Sequence, residues 1–415
     1  MQLNSGSVRI LFRKIWWLIY EQSTSFVDLT FWLLKIPVGS IPAKPVHSKR
    51  IVFTGELLPP RTPRMAKWIT RSGDYVCLLL CSKRGFVEKF SDPSFEAVLL
   101  FRNKWHMRRM LRSIPDIWLI HSFAPKSYYP DLARQMNIAP FIHDMQDVFA
   151  TYYGLNPSLR WLKQELPHER ACLEKAEGIV AHSLEANIAY RKFNTVKKPP
   201  TIFFPLYADD EQFCEPTQGS ASEEIHLVYA GGVAGSYRNP AQYGSIQFKW
   251  LITSLYAQKI HLHIYPSPSN IRADYEEYEE EAKLNPYFHF HVSVSQQLLA
   301  TELNKYDWGL LPFFWGQNEQ SADKYKYATT LKVFNYLEAG IPVIVSRDLI
   351  YQSWIIERYG YGIGVKEEMM HQLRKHLSSG KRTELLLNIP EARRRLSLKN
   401  NLPRLLEFYH RNTSK

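Results

Sequence analysis

From Arg50 onward the chain alternates short, almost wholly apolar runs with stretches whose apolar positions recur every three or four residues. "RIVFTGE" predicts a strand and "PRMAKWITRSG" a helix. "YVCLLLC" and "FEAVLLF" predict strands, "KWHMRRMLRSI" a helix, "DIWLIHSF" a strand, "YPDLARQM" a helix and "APFIHDM" a strand. A longer helical region over 158–175 and a short buried strand in "GIVAHS" follow. Runs too apolar to keep a wet face, interleaved with helices, predict a parallel sheet covered on both sides.

The alternation stops at "FFPLYADDEQFCEPTQGSASEE", residues 203–224, whose Pro, Gly and Ser content predicts a linker. It restarts with "IHLVYAGG" as strand, a helix near 246–258, "IHLHIYP" as strand and an acidic helix over 274–283. "FHFHVSV" then reads as strand, "SQQLLATELNKY" as helix and "WGLLPF" as strand. In "LKVFNYLEAGIPVIVS" a helix stops at Gly340 and feeds a buried strand, Val343 to Ser346. "EARRRLSLKNNLPRLLEFYHRN" predicts one or two basic helices. A chain of 415 residues is too long for one ordinary core. The expected organisation is an N-terminal extension (1–49), two Rossmann-like domains (50–215 and 222–390) facing each other across a cleft, and a basic helical end (391–415).

With 45% hydrophobic and 22% charged residues the composition is that of a globular protein, which sets disordered and fibrous classes aside. The four cysteines form no CxxC pair, and Cys77 and Cys81 sit in an apolar run, so they read as small hydrophobes in a reducing compartment. A net charge of +12 implies an anionic partner: nucleic acid, an anionic membrane or a phosphorylated substrate. The basic residues are spread through helices and an acidic "DYEEYEEEAK" interrupts them, which disfavours nucleic acid. No apolar run reaches the roughly 18 residues of a membrane span. In "VRILFRKIWWLIYEQ", basic residues interleaved with Trp16, Trp17, Ile19 and Tyr20 suit a helix lying in a membrane interface, the alternative being a core-packing helix with one wet side. A signal peptide is not expected, because charge breaks the apolar stretch and no small-residue cleavage site follows.

"RACLEKAEGIVAHS", "FFPLYADDEQF", "LVYAGGV", "ELNKYDWGLLPF" and "TTLKVFNYLEAGIPVIVS" stand in that order along the chain. Together they resemble the GT-B glycosyltransferases, in particular the group related to family-4 nucleotide-sugar transferases, over roughly Ile51 to Tyr409. The resemblance implies an α/β fold of two facing Rossmann-like domains, with the donor held mostly in the second. Gly231 and Gly232 let backbone approach a phosphate, and Arg238 is expected to neutralise the leaving diphosphate. In the family pattern a lysine reaches the diphosphate and a carboxylate three residues later takes the ribose hydroxyls. Here Lys332 is in register, but the acid is replaced by Asn335, and the position of a second glutamate by Tyr327. Asn335 retains a carbonyl for one hydroxyl. Glu338, one helical turn on, is either a substitute acid or a solvated helix residue.

In the first domain, Arg61 and Arg64 stand where relatives often carry paired glycines, and suit a phosphate-bearing acceptor. His121, His143, Asp144 and Asp147 fall at or just past predicted strand ends, where catalytic groups of parallel sheets collect. His121 and His143 are assigned to the acceptor. Asp147 is the first choice for a catalytic or acceptor-orienting acid, and is otherwise a loop-capping residue. The expected activity is transfer of a sugar from a nucleotide diphosphate donor to a glycan or lipid-linked acceptor of surface polysaccharide or glycolipid, at the cytoplasmic face of the plasma membrane. No metal or cofactor is expected, since lysine, arginine and helix N-termini can balance the diphosphate and neither domain shows an Asp-x-Asp motif. The alternatives are a sugar-nucleotide epimerase of the same fold, and a degenerate nucleotide-sugar-binding scaffold, which the missing acids keep open.

Overall fold

A computed structural model describes residues 23–38, 48–83, 92–216, 224–314 and 322–413. The interfacial helix expected over 8–22 lies outside the described residues. Among those described, no helix is long and apolar enough to cross a membrane.

The first sheet has seven strands: β1 (Lys49–Gly55), β2 (Tyr75–Ser82), β3 (Ala97–Phe101), β4 (Ile117–Phe123), β5 (Phe141–Met145), β6 (Gly178–Ala181) and β7 (Thr201–Phe203). Their order is β3-β2-β1-β4-β5-β6-β7, and every pair is parallel. The second sheet has six: β8 (Ile225–Gly231), β9 (Ile260–Pro266), β10 (Phe288–Phe290), β11 (Trp308–Leu311), β12 (Val343–Ser346) and β13 (Gly362–Val365). It too is parallel, in the order β10-β9-β8-β11-β12-β13. Each sheet is therefore doubly wound, with its strand order reversing beside β1 and beside β8. Such reversals open a crevice at the C-terminal strand ends, where ligands of this architecture bind.

Side-chain alternation explains the layers. In β1, Val52 faces one buried cluster while Ile51 and Phe53 face another. That second cluster runs on through Phe204 and Tyr207 into the second sheet and the helices Ser379–Leu396 and Leu398–Thr413. The last helix thus crosses back, burying Leu402, Leu405 and Tyr409 with core residues of the first half. The segment expected as a linker is knitted in: Ala208 bridges Ser397, and the Cys214 amide donates to the Glu338 carbonyl at 2.9 Å. Cys77, Cys81 and Cys172 are buried free thiols, and burial pushes those of Cys77 and Cys81 up to about 12, as their apolar setting requires.

Two further features bear on function. A helix over 23–33 is docked by Asp28, whose buried carboxylate accepts from Arg102, Arg109 and Asn103. Its outer side leaves Phe26, Leu33 and Leu34 exposed. In the second sheet, the every-second-residue histidines of β9 and the β10 segment join His226 of β8 on one face. His226 stacks on His261 at 4.4 Å and His263 on His289 at 4.3 Å between ring centres.

Candidate functional site

At the C-terminal ends of β8 and β9 a cavity of about 420 Å³ is lined by Gly231, Pro266, Ser267, Gln296, Lys332 and Asn335, with Pro60 contributed by the first half. The helix Leu331–Ala339 begins at its wall, so helix-start amides and the Lys332 ammonium share one crevice. Lys332 Nζ lies 5.7 Å from the Tyr229 ring centre and 5.6 Å from that of Phe313. No carboxylate among the described residues pairs with it. Burial alone pushes the ammonium down to about 8. A cation kept in a crevice without a counter-ion is poised for an anionic ligand.

Gly231 is what allows this. Its φ is +156°, and a Cβ there would sit 2.1 Å from Lys332 Cε and 2.7 Å from Nζ. At Gly232, one residue beyond the lining, a Cβ meets nothing within 4 Å. The Tyr229 hydroxyl closes the turn by donating to the Gly232 carbonyl at 2.7 Å. Gly231→Ala is accordingly expected to weaken nucleotide binding about tenfold or more, from roughly 1–3 kcal/mol of strain and the displaced lysine. Gly232→Ala is expected to be silent. Calorimetric titration of both variants checks this, and equal effects would mean that the contact with Lys332 is irrelevant.

Across the cleft Asp147 follows β5 in a left-handed conformation, φ +50°. Its carboxylate accepts from Lys324 Nζ at 2.5 Å, a bond from the first half to the helix Ala322–Tyr327 of the second. The Lys324 charge holds the Asp147 carboxyl below the usual carboxylate range, so in this pairing it is an anchor rather than a base. Nearby, buried Glu185 accepts from the hydroxyls of Thr151 at 3.0 Å and Ser183 at 3.2 Å, and burial pushes its carboxyl up to about 7. Sequence reasoning missed both Lys324 and Glu185. Glu185 was findable as an acid just past the end of β6, whereas Lys324 sits in a short helix without periodic signal.

The remaining expected site residues lie elsewhere. Glu338 is neither a substitute for the missing acid nor a solvated helix residue. Six residues on a helix advance about 600°, leaving Glu338 roughly 120° round from Lys332. It is buried against Arg64, whose Nη1 and Nη2 donate at 2.5 Å and 3.2 Å. Arg64 is therefore consumed by the second half and does not meet an acceptor. Arg61 is likewise buried, 3.1 Å from Asp144 and donating to the Phe204 carbonyl at 2.9 Å. His121 sits between the Tyr409 hydroxyl at 2.6 Å and Asp144 at 3.5 Å, and His143 beside the Ser122 hydroxyl at 2.8 Å. Both point into core layers because strand side chains alternate, and neither is more than 1% exposed. Burial opposes ionisation of Asp144, but the Arg61 charge and the His121 contact outweigh it and keep the carboxyl below its ordinary pKa. Arg238 is clamped by Asp274 at 2.7 Å and 3.0 Å, outside the Lys332 crevice. Asn335 does line the crevice, with its Oδ1 accepting from Gln296 at 3.2 Å. Gly231, Lys332 and Asn335 thus come together, and the other expected contacts do not join them.

Residues 246–397 match the family described as Glucosyltransferase 3-like, C-terminal domain. No curated protein matches the sequence. Among solved structures, the N-terminal domain of Candida albicans trehalose-6-phosphate phosphatase is similar at TM-score 0.55 and 13% identity, over 91% of this chain and 100% of that one. TcCGT1 in complex with UDP is similar at TM-score 0.52 and 10% identity, over 88% of this chain and 100% of that one. Phytolacca americana UGT2 complexed with UDP-2fluoro-glucose and pterostilbene is similar at TM-score 0.50 and 11% identity, over 89% of this chain and 100% of that one. Two doubly wound parallel sheets, a crevice at the switch point of the second, and these likenesses together make the chain a protein of the GT-B glycosyltransferase fold.

Proposed function

We propose that the protein is a glycosyltransferase that holds a nucleoside diphosphate sugar in the Lys332 crevice and passes the sugar to a glycan or lipid-linked acceptor. The observation that carries this reading is the Lys332 ammonium, without a counter-ion among the described residues and packed over a glycine where a Cβ would collide with it. As the bond between sugar and diphosphate breaks, negative charge grows on the leaving phosphate. Lys332 and the amides opening the helix Leu331–Ala339 are positioned to stabilise it, which is chemistry that needs no metal ion. Asn335, in place of an acid, offers the donor ribose an uncharged contact. The Asp147–Lys324 pair spans the cleft mouth and would order it around the acceptor. The acceptor reading leans on the net charge of +12 and on exposed Phe26, Leu33 and Leu34, near Arg108 and Arg112, which pack on Trp32 of the same helix. Apolar residues beside arginines suit the cytoplasmic face of an anionic membrane carrying a glycolipid or surface-polysaccharide acceptor.

The test is thermal denaturation against UDP, GDP, ADP, dTDP and their sugars, with UDP first because two structurally similar proteins are complexed with UDP or a UDP-sugar. Ligand at about 100 times its Kd should stabilise the protein by roughly 2.7 kcal/mol. Stabilisation by one nucleotide family, with turnover of its sugar, is the expected result. Binding without turnover would favour the degenerate scaffold, and no stabilisation by any nucleotide would sink the reading.

A further inference from the structure

We infer that Glu224, His226 and His261 form a binding site for one transition-metal ion of the zinc class, remote from the donor crevice. His226 and His261 are register partners at the starts of β8 and β9, and Glu224 immediately precedes β8. Their ligand atoms all lie within 4.8 Å of one another. The Glu224 carboxylate is 3.7 Å from His226 Nε2 and 3.9 Å from His261 Nε2, too far for hydrogen bonds. Metal–ligand bonds of about 2.0–2.1 Å in tetrahedral array place ligand atoms roughly 3.3 Å apart. The three groups therefore stand close together without touching; the exposed Glu224 side chain is free to close its own gap of a few tenths of an ångström, and the stacked imidazoles must tilt toward a shared ion. His261 Nε2 is buried and has no hydrogen-bond partner among the described residues, a costly state that a bound cation would relieve.

The second layer supports the same assignment. A ligating imidazole donates its other N–H to a fixed acceptor, which sets its tautomer. His226 Nδ1 lies 3.0 Å from His263 Nε2, and His263 Nδ1 lies 3.0 Å from His291 Nε2. His261 Nδ1 lies 3.0 Å from His289 Nε2. When every Nδ1–H donates along these two chains, each bond is satisfied and the Nε2 atoms of His226 and His261 are left unprotonated, 3.7 Å and 3.9 Å from the Glu224 carboxylate. Two imidazoles and one carboxylate suit zinc, nickel or copper rather than magnesium or calcium. One side remains open to solvent for a water ligand.

The site lies at the N-terminal strand edge, opposite to the Lys332 crevice, so an ion there takes no part in sugar transfer. Its effect is to pin the entry of β8, where the 204–224 segment joins the second sheet, to β9.

The experiment is titration of the chelator-treated full-length protein with Zn²⁺ by calorimetry and with Co²⁺ by absorbance. One ion per chain is expected, with d–d bands but no thiolate charge-transfer absorption, together with a rise in Tm. Glu224→Gln and His261→Gln should each weaken binding about tenfold or more. Because Glu224 is exposed, its variant stays folded and keeps the test valid if His261→Gln does not. Cys214→Ser should change nothing. The proposal is overturned by a thiolate band, by affinity unchanged in Glu224→Gln, or by no saturable binding at millimolar ion.

Discussion

Lys332→Ala is expected to lower the kcat/KM of sugar transfer by about 10²–10³, the effect of removing one preorganised partner of a developing oxyanion. The same variant should fold at least as well as the wild type. An ammonium pushed down to about 8 by burial is a destabilising presence in the unliganded protein. Its pH signature separates the two roles. The unfolded chain keeps its lysine protonated to about 10.4, so between pH 8 and that value it binds more protons than the folded chain, and this group's contribution to unliganded stability rises with pH. Nucleotide affinity runs the other way, because the diphosphate binds the charged form and weakens as pH passes 8. Melting curves from pH 7 to 10, with and without nucleotide, for wild type and Lys332→Ala, measure both trends. Full nucleotide stabilisation in the variant would remove Lys332 from the donor site.

The two sheets were legible in the sequence because strands of a parallel sheet covered on both faces are continuous apolar runs, and "YVCLLLC" or "IHLVYAGG" leaves little choice. The edges were not. β7 is three partly exposed residues, and β13, "GIGV", is broken by glycines, so neither has the apolar content that marks a central strand. The "SQQLLATELNKY" helix shortens to Leu299–Leu303. Gly231 and Lys332, which the structure brings to one crevice, stood out because backbone and side-chain demands coincide on one dense motif. Arg61, Arg64 and Glu338 were misplaced for a common reason: a charge in a strand-to-helix loop looks the same in sequence whether it meets a ligand or the other half of the protein. Only the opposite charge across the cleft decides, and that pairing joins residues 274 positions apart.

Arg64→Ala or Glu338→Ala is expected to destabilise the protein by about 3–5 kcal/mol, the cost of leaving one member of a buried ion pair alone. The pair is more than a two-body contact. The Glu338 carboxylate also accepts from the Asp209 amide at 2.8 Å, so one side chain ties the helix Arg61–Arg71, the connecting segment and the helix Leu331–Ala339 together. Asp209 in turn accepts from Trp68 Nε1 at 3.0 Å and Lys67 Nζ at 2.5 Å, so the disturbance spreads along that helix. Urea denaturation of the single variants should show a lower midpoint. The double variant Arg64→Met with Glu338→Leu should recover much of the loss, since neither charge is then stranded. Nucleotide binding discriminates this role from the one its position in the motif suggests. If Glu338 braces the halves, Glu338→Gln loses stability while the folded fraction keeps the wild-type Kd for nucleotide. If instead it touched the donor ribose, affinity would fall with stability intact. Because Lys332 and Glu338 occupy different faces of the same short helix, the two variants should separate completely: Lys332→Ala is expected to lose nucleotide affinity with stability kept, and Glu338→Gln stability with affinity kept.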